Sequence, residues 1–288
     1  MLQNAGRTPE KRQRRDAGMR ILERTGFYVA VCLILFFCLF PIFWMLLTAF
    51  KPVDKVYSTS VLFEPTLRNF RIIFGEPLSF GPLVANSLIV AIGTTLLAIP
   101  ISLGAAYAFS RLKFRGNTTL LVIILATQFI PPVAIALPFF TLFENVGLID
   151  TLQGLVIANL AVIVPYSIWM MKGFIDALPE GIEEAAFIDG CGELSVVRYV
   201  TFPLVMPGIL ISATFAFILS WNEFLFPFLL TREAAVTMPV GLMSTQGTRG
   251  VLWEQMSAAG MLVMVPVLIM SLFIRKHFIE GITMGAVK

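Results

Sequence analysis

The sequence predicts an all-α integral membrane protein with about six transmembrane helices. Three observations predict it. Hydrophobic residues make up 57% of the 288 and charged residues only 14%, against roughly half and a quarter in a soluble domain. The apolar excess is gathered into blocks of about twenty residues, the length that crosses a hydrocarbon core roughly 30 Å thick. Lysine and arginine are shared unevenly between the segments that join those blocks.

The chain opens on a polar, basic stretch, Met1 to Arg24, and residues 1–26 are read as an N-terminal segment on the cytoplasmic side. Phe27 to Phe50 is almost uninterrupted apolar sequence. It is too long for the hydrophobic part of a signal peptide and no small-residue cleavage site follows, so it is read as a retained first span. Pro41 is expected to kink it. A loop, 51–82, separates it from the membrane core at 83–274. The further apolar blocks run Leu83–Phe109, Thr118–Phe143, Leu152–Met171, Gly208–Leu230 and Gln255–Ile274, and 275–288 form a tail. Pro100, Gly104, Pro131, Pro132, Pro138, Pro165, Pro227 and Pro266 interrupt these blocks. Such breaks are tolerated where neighbouring protein or water satisfies the freed backbone groups, and they are common where a pathway opens and closes.

Charge sets the orientation. With a cytoplasmic N-terminus, the outer loops hold six basic residues, Lys51, Lys55, Arg68, Arg71, Arg232 and Arg249, and the inner segments hold the other fifteen of the 21. Positive charge collects inside, so both termini are placed in the cytoplasm. Lys51–Pro82 and Thr231–Glu254 then face outward, and Lys172–Pro207 faces inward.

Several functions are disfavoured. A net charge of +3 without a basic stripe interleaved with aromatics does not fit a nucleic-acid binder. Cys32, Cys38 and Cys191 have neither disulfide-framework nor zinc spacing. His277, just past the last block, reads as an interfacial residue rather than a ligand or base. No G-x-x-x-x-G-K-[ST] phosphate loop occurs, so ATP hydrolysis by this chain is not expected. No paired carboxylates flank a sugar-cleavage site.

Glu223 lies inside the fifth block, next to Trp221 and Asn222. An ionised group there is costly and faces the bundle interior or a cavity. The trio has the chemistry to stack on and hydrogen-bond a sugar in a substrate pathway, or to clamp helices together, and both readings stand. Gln128, in the third block, raises the same question.

The inward loop is the most informative segment. Pro179 suits a helix start. Glu180, Glu183 and Glu184 follow in the first turns, where carboxylates complement the helix dipole. Leu178, Ile182, Ala185 and Ala186 recur at helical spacing, and Gly190 ends the segment. A second short helix is expected over Glu193–Phe202, ahead of Pro203.

Glu184-Ala185-Ala186, three residues, Gly190, nine residues, then Val200-Thr201-Phe202-Pro203 resembles the EAA motif of binding-protein-dependent ABC importer permeases. The family pattern is EAA, three residues, G, nine residues, I, one residue, L-P. Val200 replaces the isoleucine and Phe202 the leucine, both still apolar. The chain is similar to the carbohydrate-uptake, maltose-permease-like subfamily over nearly its whole length. Asn86-Ser87, Ala105–Phe109 with Arg111-Leu112, Ser220–Phe224, Met238–Gly241 and the ending Glu280–Lys288 carry that similarity, in order.

The resemblance implies a type I ABC importer permease fold in a bacterial or archaeal cytoplasmic membrane. It implies a second homologous permease subunit, two ABC ATPase subunits and an extracytoplasmic sugar-binding protein as partners. No cofactor is expected on this chain; ATP and Mg belong to the ATPases. By the same resemblance the inward helix is a coupling helix, with Glu183, Glu184, Ala185, Ala186, Asp189, Gly190 and Pro203 as ATPase-coupling residues. Two other classes compete. A membrane transferase acting on lipid-linked sugars needs clustered Asp, Glu or His at a membrane surface. An ion-coupled transporter needs more intramembrane carboxylates and an internal repeat. Neither pattern is clear in this sequence.

Overall fold

The computed structural model describes the backbone of residues 9–286 apart from 77, 248 and 249, and side chains over 23–274 apart from 77, 244 and 246–249. Residues 1–8, the basic side chains before Glu23, Arg249, His277 and the side chains of the Glu280–Lys288 ending lie outside the described residues.

Helix α1 runs Pro9–Phe50 and contains Pro41 within one continuous helix. Its apolar stretch Glu23–Phe50 has none of its span window buried. The chain after it folds back. Asn69, on α2 (Arg68–Phe74), donates through Nδ2 to the Ala49 and Lys51 carbonyls at 2.8 and 2.9 Å. Lys51 is buried, donates to the Ser58 carbonyl at 2.7 Å and lies 4.4 Å from the Trp44 ring centroid. The loop 51–82 is therefore tied to the end of α1.

Helix α3, Phe80–Arg111, passes through Pro100. The third block is not one helix: α4 (Asn117–Ala126), a 3-10 turn at Thr127–Phe129 and α5 (Pro132–Asn145) meet at a 96° bend. Pro131 and Pro132 have no N–H, so the helical ladder cannot continue across them. Helix α6, Leu152–Asp176, starts on Thr151, whose hydroxyl accepts from the Gly154 N–H at 3.0 Å.

After α6 come α7 (Glu180–Ile188) and α8 (Glu193–Val196). A π turn over Val197–Thr201 leads into α9 (Phe202–Leu204) and then α10 (Met206–Trp221). The short second helix thus runs through Pro203 rather than ending before it, and it meets α10 at 79°. The fifth block also breaks: α10 stops at Trp221 and α11 covers Leu225–Leu230. After α12 (Met238–Gly241), α13 runs Trp253–Ala286, past the predicted end at Ile274. A two-residue ladder, Gln246–Gly247 with Gly250–Val251, is the only strand pairing among the described residues.

Four helices are long and apolar enough to cross a membrane alone, and the two bent pairs raise the number to six. The centre is α3 packed on α6 and α10 through small residues: Ala98, Ala106, Ala158 and Ala216 are all buried. Small side chains let helix backbones approach closely where lipid offers no hydrophobic drive to associate.

Candidate functional site

Helix α7 carries both expected boundary signals. Pro179 precedes it at φ −60°, ψ 127°. At its other end Gly190 takes φ +86°. The Cys191 N–H reaches the Ala186 carbonyl and the Gly190 N–H the Phe187 carbonyl, both at 3.0 Å. This 6→1 and 5→2 pair closes the helix in a Schellman motif, which needs a left-handed residue where Gly190 stands.

The residues expected to couple to an ATPase do not share one environment. Glu184, Ala185, Asp189, Gly190 and Pro203 are exposed, and Ala186 is half-buried. Glu183 departs from expectation: it is 3% exposed and turned inward. It accepts from Arg111 Nε on α3 and, at 2.5 Å, from Thr201 Oγ1 in the π turn. It therefore offers nothing to a partner; burial of a carboxylate demands that its oxygens be paired, and here they are. Arg111 also donates from Nη2 to the Ile175 and Leu178 carbonyls at 2.9 and 3.0 Å, at the end of α6, where the helix dipole favours a cation. Beside it Ser110 donates to Asp176, which pairs with Lys172 at 2.6 Å. A cleft of about 310 Å³ behind α7 is lined by Tyr107, Arg111, Lys113, Glu180, Glu184 and Glu193.

Sequence reasoning missed Arg111 as a partner of the loop, although a basic residue in the last turn of α3 was visible. It also passed over the apolar surface. Ile188 is 86% and Leu194 83% exposed, with Tyr199, Phe187 and Ile182 exposed alongside.

The intramembrane residues separate. Trp221 is fully buried, stacks on Phe217 and donates from Nε1 to the Val263 carbonyl on α13 at 2.9 Å. It has no face open to a substrate in this structure, because ring and N–H are both used internally. Glu223 sits in the break between α10 and α11 and accepts the Leu225 and Phe226 N–H groups at 2.9 and 3.3 Å. Its bonds are local, at the start of α11, rather than across helices. Asn222 is exposed and bonds back to the Ile218 carbonyl at 2.8 Å. Gln128 is exposed at the α4–α5 bend, bonds the Val162 carbonyl at 3.2 Å and borders a cleft of about 340 Å³ that Trp221 does not reach.

At the opposite end of the bundle from α7, Asp150 accepts N–H groups of Arg232, Glu233, Ala234 and Ala235, three of these bonds measuring 3.0 Å. Burial pushes its carboxyl up, but the four backbone donors outweigh that and hold the pKa at about 2. Asn86 Nδ2 donates to the Ala234 and Val236 carbonyls, and Ser87 accepts the Met238 N–H at 2.8 Å. The Asn86-Ser87 and Met238–Gly241 motifs are therefore two halves of one contact. No group of three or more His, Cys, Asp or Glu among the described residues could hold a metal ion.

The model of the family described as "Binding-protein-dependent transport system inner membrane component" matches residues 98–283, which include Arg111, all of α7 and the Thr201 turn. The chain belongs to this family. It is the membrane-spanning permease of an ABC importer, a transport subunit rather than an enzyme. The permease is 39% identical over 259 residues to the probable ABC transporter permease protein y4oR of Sinorhizobium fredii, covering 89% of this chain and 93% of that one. It is 33% identical to the trehalose/maltose transport system permease protein MalG of Thermococcus litoralis, over 93% of this chain and 98% of that one. In fold it resembles a chain of a bacterial ABC transporter involved in the import of the acidic polysaccharide alginate, with TM-score 0.77, 21% identity and coverage of 90% and 97%. The fold is that of a type I importer permease.

Proposed function

We propose that the permease carries a sugar or short oligosaccharide inward, forming half of a pore with a second, homologous permease. Two cytoplasmic ABC ATPases, using ATP and Mg, drive it, and an extracytoplasmic binding protein delivers the sugar. No cofactor resides on the permease itself. The observation that carries the coupling role is α7: a helix closed by a Schellman motif, with exposed Ile182, Phe187 and Ile188 beside exposed Glu184, and exposed Leu194 following on α8. A patch of this kind marks a protein-interaction surface. The sugar class follows from relatives, among them the trehalose/maltose permease. The uncovered apolar window of Glu23–Phe50 leaves room for lipid or the second permease.

Affinity purification of the tagged permease, expressed with the ABC ATPase encoded beside it, tests the assignment. ATP hydrolysis is expected in the complex and not in the permease alone. A stable, transport-active permease without any ATPase would refute the proposal. Isothermal titration of the accompanying binding protein against a panel of mono- and disaccharides then identifies the cargo, and no heat with any of them would remove the sugar assignment.

Both termini are placed in the cytoplasm, on the fifteen-to-six division of basic residues. Exposed sites serve to test this. A membrane-impermeant maleimide should label Glu233→Cys from outside intact cells and label Asp189→Cys only after lysis. The reverse pattern would invert the topology.

A further inference from the structure

We infer that Arg111 is a positioning residue that locks the coupling helix to α3 and α6, so that these three elements move as one body when the ATPase displaces α7. The inference rests on the coupling role proposed for α7.

Glu183 is the one buried residue of α7. Every other side chain of the helix is exposed or half-buried. Among the described residues, the side-chain hydrogen bonds that tie α7 to the rest of the permease all pass through this one carboxylate. That carboxylate is held by Arg111 Nε on one oxygen and Thr201 Oγ1 on the other. The two side chains of the ion pair are 10% and 4% exposed. The same guanidinium holds the Ile175 and Leu178 carbonyls with Nη2, and its neighbour Ser110 bonds Asp176. One planar group thus joins the last turn of α3, the last turn of α6 and the first turn of α7.

An apolar anchor would allow α7 to slide, because hydrophobic contact is non-directional. A buried ion pair with fixed fork geometry does not slide: it is made, or it leaves a charge unpaired in a poorly solvated place. This is the property needed of a joint that must transmit displacement. Lysine would not replace arginine here, since a point charge cannot hold two carbonyls and a carboxylate in one plane.

The test uses the permease in complex with its ATPase, with ATP and vanadate as the trapping probe. Nitroxide labels are placed on Arg115→Cys and Gly192→Cys in a background where Cys32, Cys38 and Cys191 are serine. Both label sites are exposed, and a Cβ at Gly192 meets nothing within 4 Å. Pulsed electron resonance should give one narrow distance distribution, unchanged between the nucleotide-free and trapped states. Arg111→Gln and Glu183→Gln should each retain the ATPase and each broaden the distribution on trapping, and the double variant should be no broader than either single one. Arg111→Lys should broaden it as well. Were Arg111→Gln lost from the membrane, the near-isosteric Glu183→Gln carries the same test. Narrow distributions in the single variants, or a double variant broader than both, would overturn the inference. So would loss of the ATPase from both variants at normal abundance, since the pair would then serve docking rather than transmission. Failure of the unsubstituted, labelled permease to retain ATPase would instead refute the coupling role of α7.

Discussion

Gly154→Ala should sharply reduce the folded, detergent-extractable permease. An added Cβ would lie 2.3 Å from the Leu148 carbonyl oxygen and 3.0 Å from Thr151 Oγ1. The first of these is backbone, so no rotamer change relieves it. Leu148 cannot retreat easily either, because its carbonyl accepts the Thr151 hydroxyl at 2.8 Å. Two residues on, Asp150 is fixed by the N–H groups of residues 232–235. The α5–α6 turn, the start of α6 and the loop after α11 would have to move together. Overpacking of this kind costs about 1–3 kcal/mol, occasionally more. Gly181→Ala is the control: a Cβ there meets nothing within 4 Å, and alanine is the better helix former. Thermal challenge followed by size-exclusion chromatography should show early loss of the monodisperse peak for Gly154→Ala and none for Gly181→Ala. Equal stability of the two would mean that the turn gives way freely.

The spans were legible because a bilayer imposes length and apolarity together. Where the sequence fell short, the missing information was geometric. The Thr118–Phe143 block reads as one span by composition, and the adjacent prolines Pro131 and Pro132 warn of a break without giving its angle; the observed bend is 96°. Pro41 lies inside one continuous helix, so a proline alone does not decide whether a helix is interrupted. The EAA spacing located α7, its Pro179 entry and its Gly190 exit, all signals local in sequence. Which glutamate faces inward was not local. Glu183 and Glu184 are adjacent, and the choice depends on Arg111, 72 residues away. Trp221 misled for a related reason: an aromatic beside an amide and a carboxylate is suited to a sugar, but the indole N–H is taken by the Val263 carbonyl on another helix. Asp150 escaped notice because a carboxylate bonded to backbone N–H groups leaves no side-chain pattern to read.

Gly190→Val should detach the ATPase while leaving the permease in the membrane. Gly190 stands at φ +86°, where a β-branched residue is a steric outlier. Space is not the obstacle, since a Cβ at this position meets nothing within 4 Å. The penalty is in the backbone, of order 1–3 kcal/mol for a residue forced into such a region. The chain relieves it by giving up the left-handed turn, which opens the Cys191–Ala186 and Gly190–Phe187 bonds and frays the last turn of α7. That turn holds Phe187, Ile188 and Asp189, all exposed. A conformational penalty of about 1.4 kcal/mol on the docking-competent form weakens association about tenfold. Because the cause is φ rather than crowding, the order of effect is diagnostic: asparagine, which tolerates the left-handed region, should be mildest, alanine intermediate and valine most severe. Crowding would rank the three by size instead, with alanine mildest. Membrane abundance should be equal for all, since no span is touched, and the ATPase recovered by affinity purification should fall in the order Asn, Ala, Val. Full ATPase recovery with Gly190→Val would show that the end of α7 is not part of the docking surface.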